Sequence, residues 1–173
     1  MDTQNKPTEQ APMMATPQAE HRWLQQLVGE WTSEARMTMA PEAEACQGSE
    51  SVRSLGGLWI LAEGRGEMPG GGTATMLMTL GYDPAKKRYV GTWVGSMMTH
   101  LWVYDGELDP GGTVLTLNSE GPDMSPGAAP GKVARYKDVI TIDGAGQRTL
   151  TSHCQSADGS WQQFMTATYR RVT

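Results

Sequence analysis

Apolar and polar residues alternate along most of this chain, and Gly, Pro and Asp clusters interrupt the alternation at short intervals. That pattern predicts many short strands joined by tight turns. The densest stretch is 76–106, MLMTLGYDPAKKRYVGTWVGSMMTHLWVYDG, where Trp, Tyr, Met and His suited to an apolar interior are concentrated. It reads as three strands and two turns, with the rest of the chain wrapped round it. Ten strands are predicted in all, at 30–39, 47–55, 58–67, 73–82, 87–95, 98–108, 113–120, 132–142, 147–156 and 160–171. A short helix precedes them: Trp23, Leu24, Leu27 and Val28 fall at helical spacing, and Gly29 is placed to stop it. Beyond Gly29 no helical period appears. Gly29-Glu30-Trp31 lets the backbone turn closely under the sheet while the indole plugs one end.

The fold class expected is therefore all-β: a closed, antiparallel, up-and-down barrel of about ten strands with a short N-terminal helix. Closure is favoured over a sandwich because it removes the edge strands that a sandwich must protect. Alternate links of such a barrel share an end. The even-numbered links, at 55–57, 83–86, 109–112 and 143–146, are short, and three open with Asp, which caps its own turn. The odd-numbered links include the long ones, at 40–46, 68–72 and 121–131, so loops gather at one end, where binding sites usually form. Met39, Met68, Met97, Met98 and Met124 fall in or beside these loops and suggest a deformable apolar rim. With a four-residue turn at 83–86, Leu80 would pair with Tyr89 and Met76 with Trp93. With the turn at 109–112, Tyr104 would face Leu117 and Trp102 would face Ser119. On that register Trp93, His100, Trp102 and Tyr104 all face the interior.

Length and composition refine the picture. At 173 residues the chain is one domain, divided into a disordered N-terminal tail at 1–18, rich in Pro, Gln and Thr, and a barrel at 19–173. Met numbers 12 against a single Phe, which suggests an interior that adapts its shape. The net charge is −5 with no basic stripe, so nucleic acid is not an expected partner. The N-terminus has no basic or apolar segment of a signal peptide, and no apolar run is long enough to span a bilayer. A soluble, cytoplasmic protein is expected, without a membrane partner, with Cys46 and Cys154 as free thiols and with a homodimer left open.

Candidate chemistry is sparse. Clustered metal ligands, a serine-hydrolase elbow and a phosphate-cradling loop are all missing, so neither metal nor cofactor is expected. His100 is the best single polar candidate, and His21 is expected to be exposed. Glu63, Arg65, Glu120 and Arg135 could reach a cavity, Glu120 most interestingly because it precedes Gly121-Pro122 at the loop end.

Gly29-Glu30-Trp31, the ten-strand meander and the closing Tyr169-Arg170-Arg171 together resemble the lipocalin-like (calycin) barrels. The resemblance implies that Trp31 closes the floor, with Arg170 or Arg171 packed across it by cation–π contact. More closely, HRWLQQLVGEW (21–31), SLGGLW (54–59), TLGYDPAKKRYVGTW (79–93), LWVYDG (101–106), SEGP (119–122) and FMTATYRR (164–171) are similar to a bacterial lipocalin-like family, domain-of-unknown-function family 1579. That placement implies a fold rather than an activity. The reading reached is a barrel that binds a small apolar or aromatic molecule through Met78, Trp93, Met97, Met98, His100, Trp102 and Tyr104, with Glu120 as polar anchor. No residue is assigned as catalytic. The alternatives are a haem protein using His153, a small-substrate enzyme using His100 and Glu120, and a packed barrel acting through its surface.

Overall fold

Ten strands follow one short helix, as the alternation predicts. The structure is a computed structural model that describes residues 14–144 and 146–173. For residues 1–13 the expected tail lies outside the described residues. Helix α1 (Ala19–Leu24) continues into a single 3-10 turn, Gln25–Leu27, and then into β1 (Gly29–Met37). The remaining strands are β2 (Cys46–Leu55), β3 (Trp59–Glu67), β4 (Thr73–Asp83), β5 (Arg88–Gly95), β6 (Trp102–Leu108), β7 (Val114–Pro122), β8 (Val133–Ile142), β9 (Gln147–Gln155) and β10 (Trp161–Arg171). Each strand pairs antiparallel with the next, and β1 pairs with both β2 and β10, so the sheet closes. Every described strand thus has a neighbour on both sides, which leaves no edge open to other chains.

Turn chemistry sets the tight end. The Asp109 carboxylate accepts the amides of Thr113 and Val114 at 2.8 and 2.7 Å, and these bonds hold its carboxyl below the usual range. Asp83 accepts the Ala85 amide at 2.9 Å in the same way. Both flanking hairpins are displaced by two residues from the expected register. Tyr82 pairs with Tyr89, Met78 with Trp93, and Gly106 with Leu117. A shift of two leaves every side chain on its expected face, because side chains alternate with period two. A larger correction concerns β6, which begins at Trp102 rather than at residue 98. Residues 96–101 belong to the loop end.

The helix seals the tight end. Leu24 and Leu27 are fully buried, and Trp23 Nε1 donates to the Gly112 carbonyl at 2.8 Å. His21 is buried rather than exposed: its Nδ1 accepts the Gln18 amide at 3.0 Å, which leaves Nε2 to donate to the Tyr82 carbonyl at 3.1 Å. Beneath the barrel Trp31 is 3% exposed and donates from Nε1 to the Leu27 carbonyl at 2.9 Å. Of the two arginines offered for the floor, Arg171 takes the place. Its guanidinium lies 4.2 Å from the Trp31 ring centroid and donates to the Val28 and Gln26 carbonyls, both at 2.7 Å. Arg170 is exposed. Gly29, at φ +138°, sits so close beneath Arg171 that a Cβ would overlap the guanidinium.

That corner generates a test. Gly29→Ala combines a φ foreign to L-residues with displacement of Arg171, and the expected cost is about 1–3 kcal/mol. Urea denaturation of the two proteins measures it. A loss within error of zero would show that the corner relaxes freely.

Candidate functional site

Inward-facing residues differ sharply from one side of the barrel to the other. On β1, β2 and β3 the wall is mostly small, with Ser33, Ala35, Gly48, Ala62, Gly64 and Gly66 beside Glu50, whereas β10 adds Phe164, Met165 and Tyr169 to Ala167. The facing wall, on β4 to β8, carries Met76, Met78, Trp93, Trp102, Tyr104, Tyr136 and Ile140. Met76 packs onto Gly64, but the large side chains do not fill all the room that the small ones leave. A cavity of about 290 Å³ results. Below it the tight end is filled by Leu24, Leu27, Ile60, Leu80 and Leu115, with Leu117 at the boundary.

Five of the eight residues expected at the site line this cavity: Met78, Trp93, Met98, Trp102 and Tyr104. Trp102 Nε1 points at the Met98 sulfur at 3.1 Å, and the ring stacks edge-on against Tyr136 with centroids 4.8 Å apart. Tyr136 in turn donates to the Pro122 carbonyl at 2.6 Å, and burial pushes its phenol up to about 12. Met124, on the loop at 123–132, also reaches the cavity. Met39, Met68 and Met97 do not, so the methionine rim narrows to Met98 and Met124.

Three expected residues lie elsewhere. Met97 is 38% exposed and packs against Gly95 outside the cavity. His100 precedes β6 instead of lying within it, so its ring leans on the edge of Trp102 and bonds the Glu120 carbonyl at 3.1 Å. Glu120 alternates with the inward Ser119 and Gly121, faces solvent, and meets Arg135 at 3.5 Å. It is not a polar anchor for the interior, and Glu63 is likewise exposed. Nor does the structure place His153 inside: it alternates with the cavity-lining Ser152, which puts it on the outer face and removes the proposed axial ligand. Cys46 and Cys154 are both free, and Cys46 lines the cavity. Among the described residues no group of three or more His, Cys, Asp or Glu could hold a metal ion.

The polar equipment of the interior stands on β2, β8, β9 and β10 and was missed by sequence reasoning. Arg148 is 3% exposed, ion-paired with Glu50, and lies over the rings of Tyr169 at 4.1 Å and Trp31 at 4.7 Å. The pair supplies the counter-charge that a buried guanidinium needs, and the aromatic faces add cation–π attraction. Four residues further along β9, Ser152 donates to Asp138 at 2.6 Å, and Tyr104 donates to the other oxygen at 2.5 Å. Burial pushes the Asp138 carboxyl above its ordinary value, while the bonds from Ser152 and Tyr104 oppose that rise. Burial and the neighbouring Asp138 both push the Tyr104 phenol well up. A signal for Asp138 was present: Tyr136, Asp138, Ile140 and Ile142 share one face of a strand, an acid among apolar neighbours.

The direction of the Asp138 shift has a consequence for stability. A carboxyl whose folded pKa is raised binds its proton more tightly when folded, so its contribution is fully present below the unfolded value of about 3.9. The contribution falls as pH rises through the folded value. Asp138→Asn removes this component, so the drop in stability above about pH 4 becomes shallower in the variant. Denaturation midpoints across the acid range measure it, and identical slopes would contradict the assignment.

The crystal structure of Rv2717c from M. tuberculosis is similar at 13% identity, covering 87% of this chain and 98% of that one, with a TM-score of 0.54. A redesigned β-barrel, mFAP0, bound to DFHBI, is 14% identical over 84% of this chain and 98% of that one, at a TM-score of 0.46. At these identities the likeness concerns the fold alone. No curated protein matches the chain. No helix among the described residues is long and apolar enough to cross a membrane. One family model matches residues 16–171, which is nearly the whole chain, and the protein accordingly belongs to the family described as protein of unknown function (DUF1579).

Proposed function

We propose that this barrel binds a small apolar or aromatic molecule in its interior, with Met78, Trp93, Met98, Trp102 and Tyr104 as the contacting wall. The observation that carries the reading is the cavity of about 290 Å³ between the mostly small residues of β1 to β3 and the aromatic and thioether side chains opposite. Largely apolar concavities with a few placed polar groups are the usual form of small-molecule sites. Methionine side chains adapt to a guest's shape at little cost, and Trp and Tyr offer flat faces for ring stacking. A barrel serving only as a packed scaffold gains nothing from such a space, because unfilled volume forfeits dispersion contacts.

A cavity-filling substitution tests the reading. The neutral dye N-phenyl-1-naphthylamine, dark in water, brightens on entering the wild-type interior. Ala35→Trp projects an indole into the same space and weakens dye binding by about tenfold or more, equivalent to ~1.4 kcal/mol. Equal brightening by both proteins, with the variant's fold verified by circular dichroism, would place the dye elsewhere and overturn the proposal.

A further inference from the structure

The two polar assemblies on the cavity wall differ in charge balance. Arg148 brings its own counter-charge, since Glu50 pairs with it and stands just 11% exposed. Asp138 has no such partner. Both groups that donate to it, the Tyr104 and Ser152 hydroxyls, are neutral, and no ion pair reaches it among the described residues. His153, whose charge would favour its ionised form, stands on the outer face of β9. Arg148 is four residues from Ser152, about 13 Å along the strand, and is already neutralised. The inward-facing charges therefore sum to one uncompensated negative group.

That group is accessible from the cavity. Asp138 is enclosed by the barrel yet keeps intermediate accessibility, and it lines the cavity. An ionised carboxylate held away from bulk water without a counter-ion is costly, and a cation supplied from outside relieves the cost. The surrounding wall suits such a cation. Trp93, Trp102, Tyr104 and Tyr136 turn aromatic rings toward the same space, and ring faces attract positive charge. An anionic guest would meet Glu50 and Asp138 against the single charge of Arg148. A neutral guest would leave Asp138 as it is.

We propose that the ligand is a small apolar or aromatic amine whose ammonium group pairs with the Asp138 carboxylate while its body lies against Met78, Trp93 and Trp102. This rests on the reading of the barrel as a small-molecule binder, and it replaces Glu120 with Asp138 as the polar anchor. A charge-assisted hydrogen bond in a water-poor site accounts for the selectivity, because the pair forms where solvent competes least.

Calorimetric titration at neutral pH with 1-naphthylmethylamine, 1-naphthylmethanol and 1-naphthoate separates the outcomes, because the three probes share one ring system and differ in charge. The amine is expected to bind about tenfold or more tightly than the alcohol, and the carboxylate weakest. Asp138→Asn abolishes the preference for the amine over the alcohol, whereas Ser152→Ala, which retains the carboxylate, keeps it. Alcohol bound as tightly as amine by the wild-type protein overturns the amine assignment and leaves the cavity reading standing, with no variant required. A preference that persists in Asp138→Asn also overturns it. Failure of all three probes to bind would overturn both readings.

Discussion

The indole of Trp31 is the feature on which the remaining structure depends. It gives its one proton to the carbonyl that ends the opening helical turn. Guanidinium groups from two strands, Arg148 of β9 and Arg171 of β10, lie over its ring. One ring thereby ties together the helical plug, the first strand and the last two. Each tie requires the others: Arg171 reaches the Val28 and Gln26 carbonyls only because Gly29 leaves space beneath it. Arg148 tolerates burial only because Glu50 on β2 answers its charge. The floor is thus a joint between distant parts of the chain, and the geometry of the space above it follows from that joint.

That space is a departure from the packing rule obeyed lower in the barrel. Leu24, Leu27, Ile60, Leu80 and Leu115 are fully buried there, as close-packed protein interiors require. One layer higher, β1, β2 and β3 present mostly small residues at the inward positions and the sheet has no means of collapsing onto them, since closure fixes its circumference. The volume is therefore held open by the hydrogen-bonded cylinder rather than by any side chain. The polar groups placed in it, Asp138 and Arg148, are likewise maintained by rigid strands on both sides.

Much of this architecture was legible in the sequence, and the reasons differ by level. Strand boundaries were readable because Gly, Pro and Asp punctuate them, and Asp83 and Asp109 indeed cap their turns through backbone amides. Both four-residue turns sit one position later than expected, which shifts each register by two, yet Trp93, Trp102 and Tyr104 still faced inward, because the period of a strand forgives an even error. His100 was misplaced for a different reason: the strand holding it was started four residues too early, and alternation means nothing in a loop. Glu120 went to the wrong face because a one-residue difference from Ser119 decides the matter. Glu50 and Arg148 were out of reach, since nothing local shows that β2 and β9 will meet across a closed sheet. Asp138 could have been found from the apolar face it interrupts.

The seam between β1 and β10 differs from the others in the cylinder, which join consecutive strands. Nine hairpins can zip locally, each at a small loss of chain freedom, but this seam brings together residues such as Trp31 and Arg171 from opposite ends of the barrel sequence. The entropic demand of that meeting falls late in assembly and makes the barrel a slow folder by the usual relation between contact order and rate. Until it is met, β1 and β10 are bare edges in an otherwise formed sheet. The nascent chain is therefore most prone to pair with a second copy of itself at the stage just before its ends join.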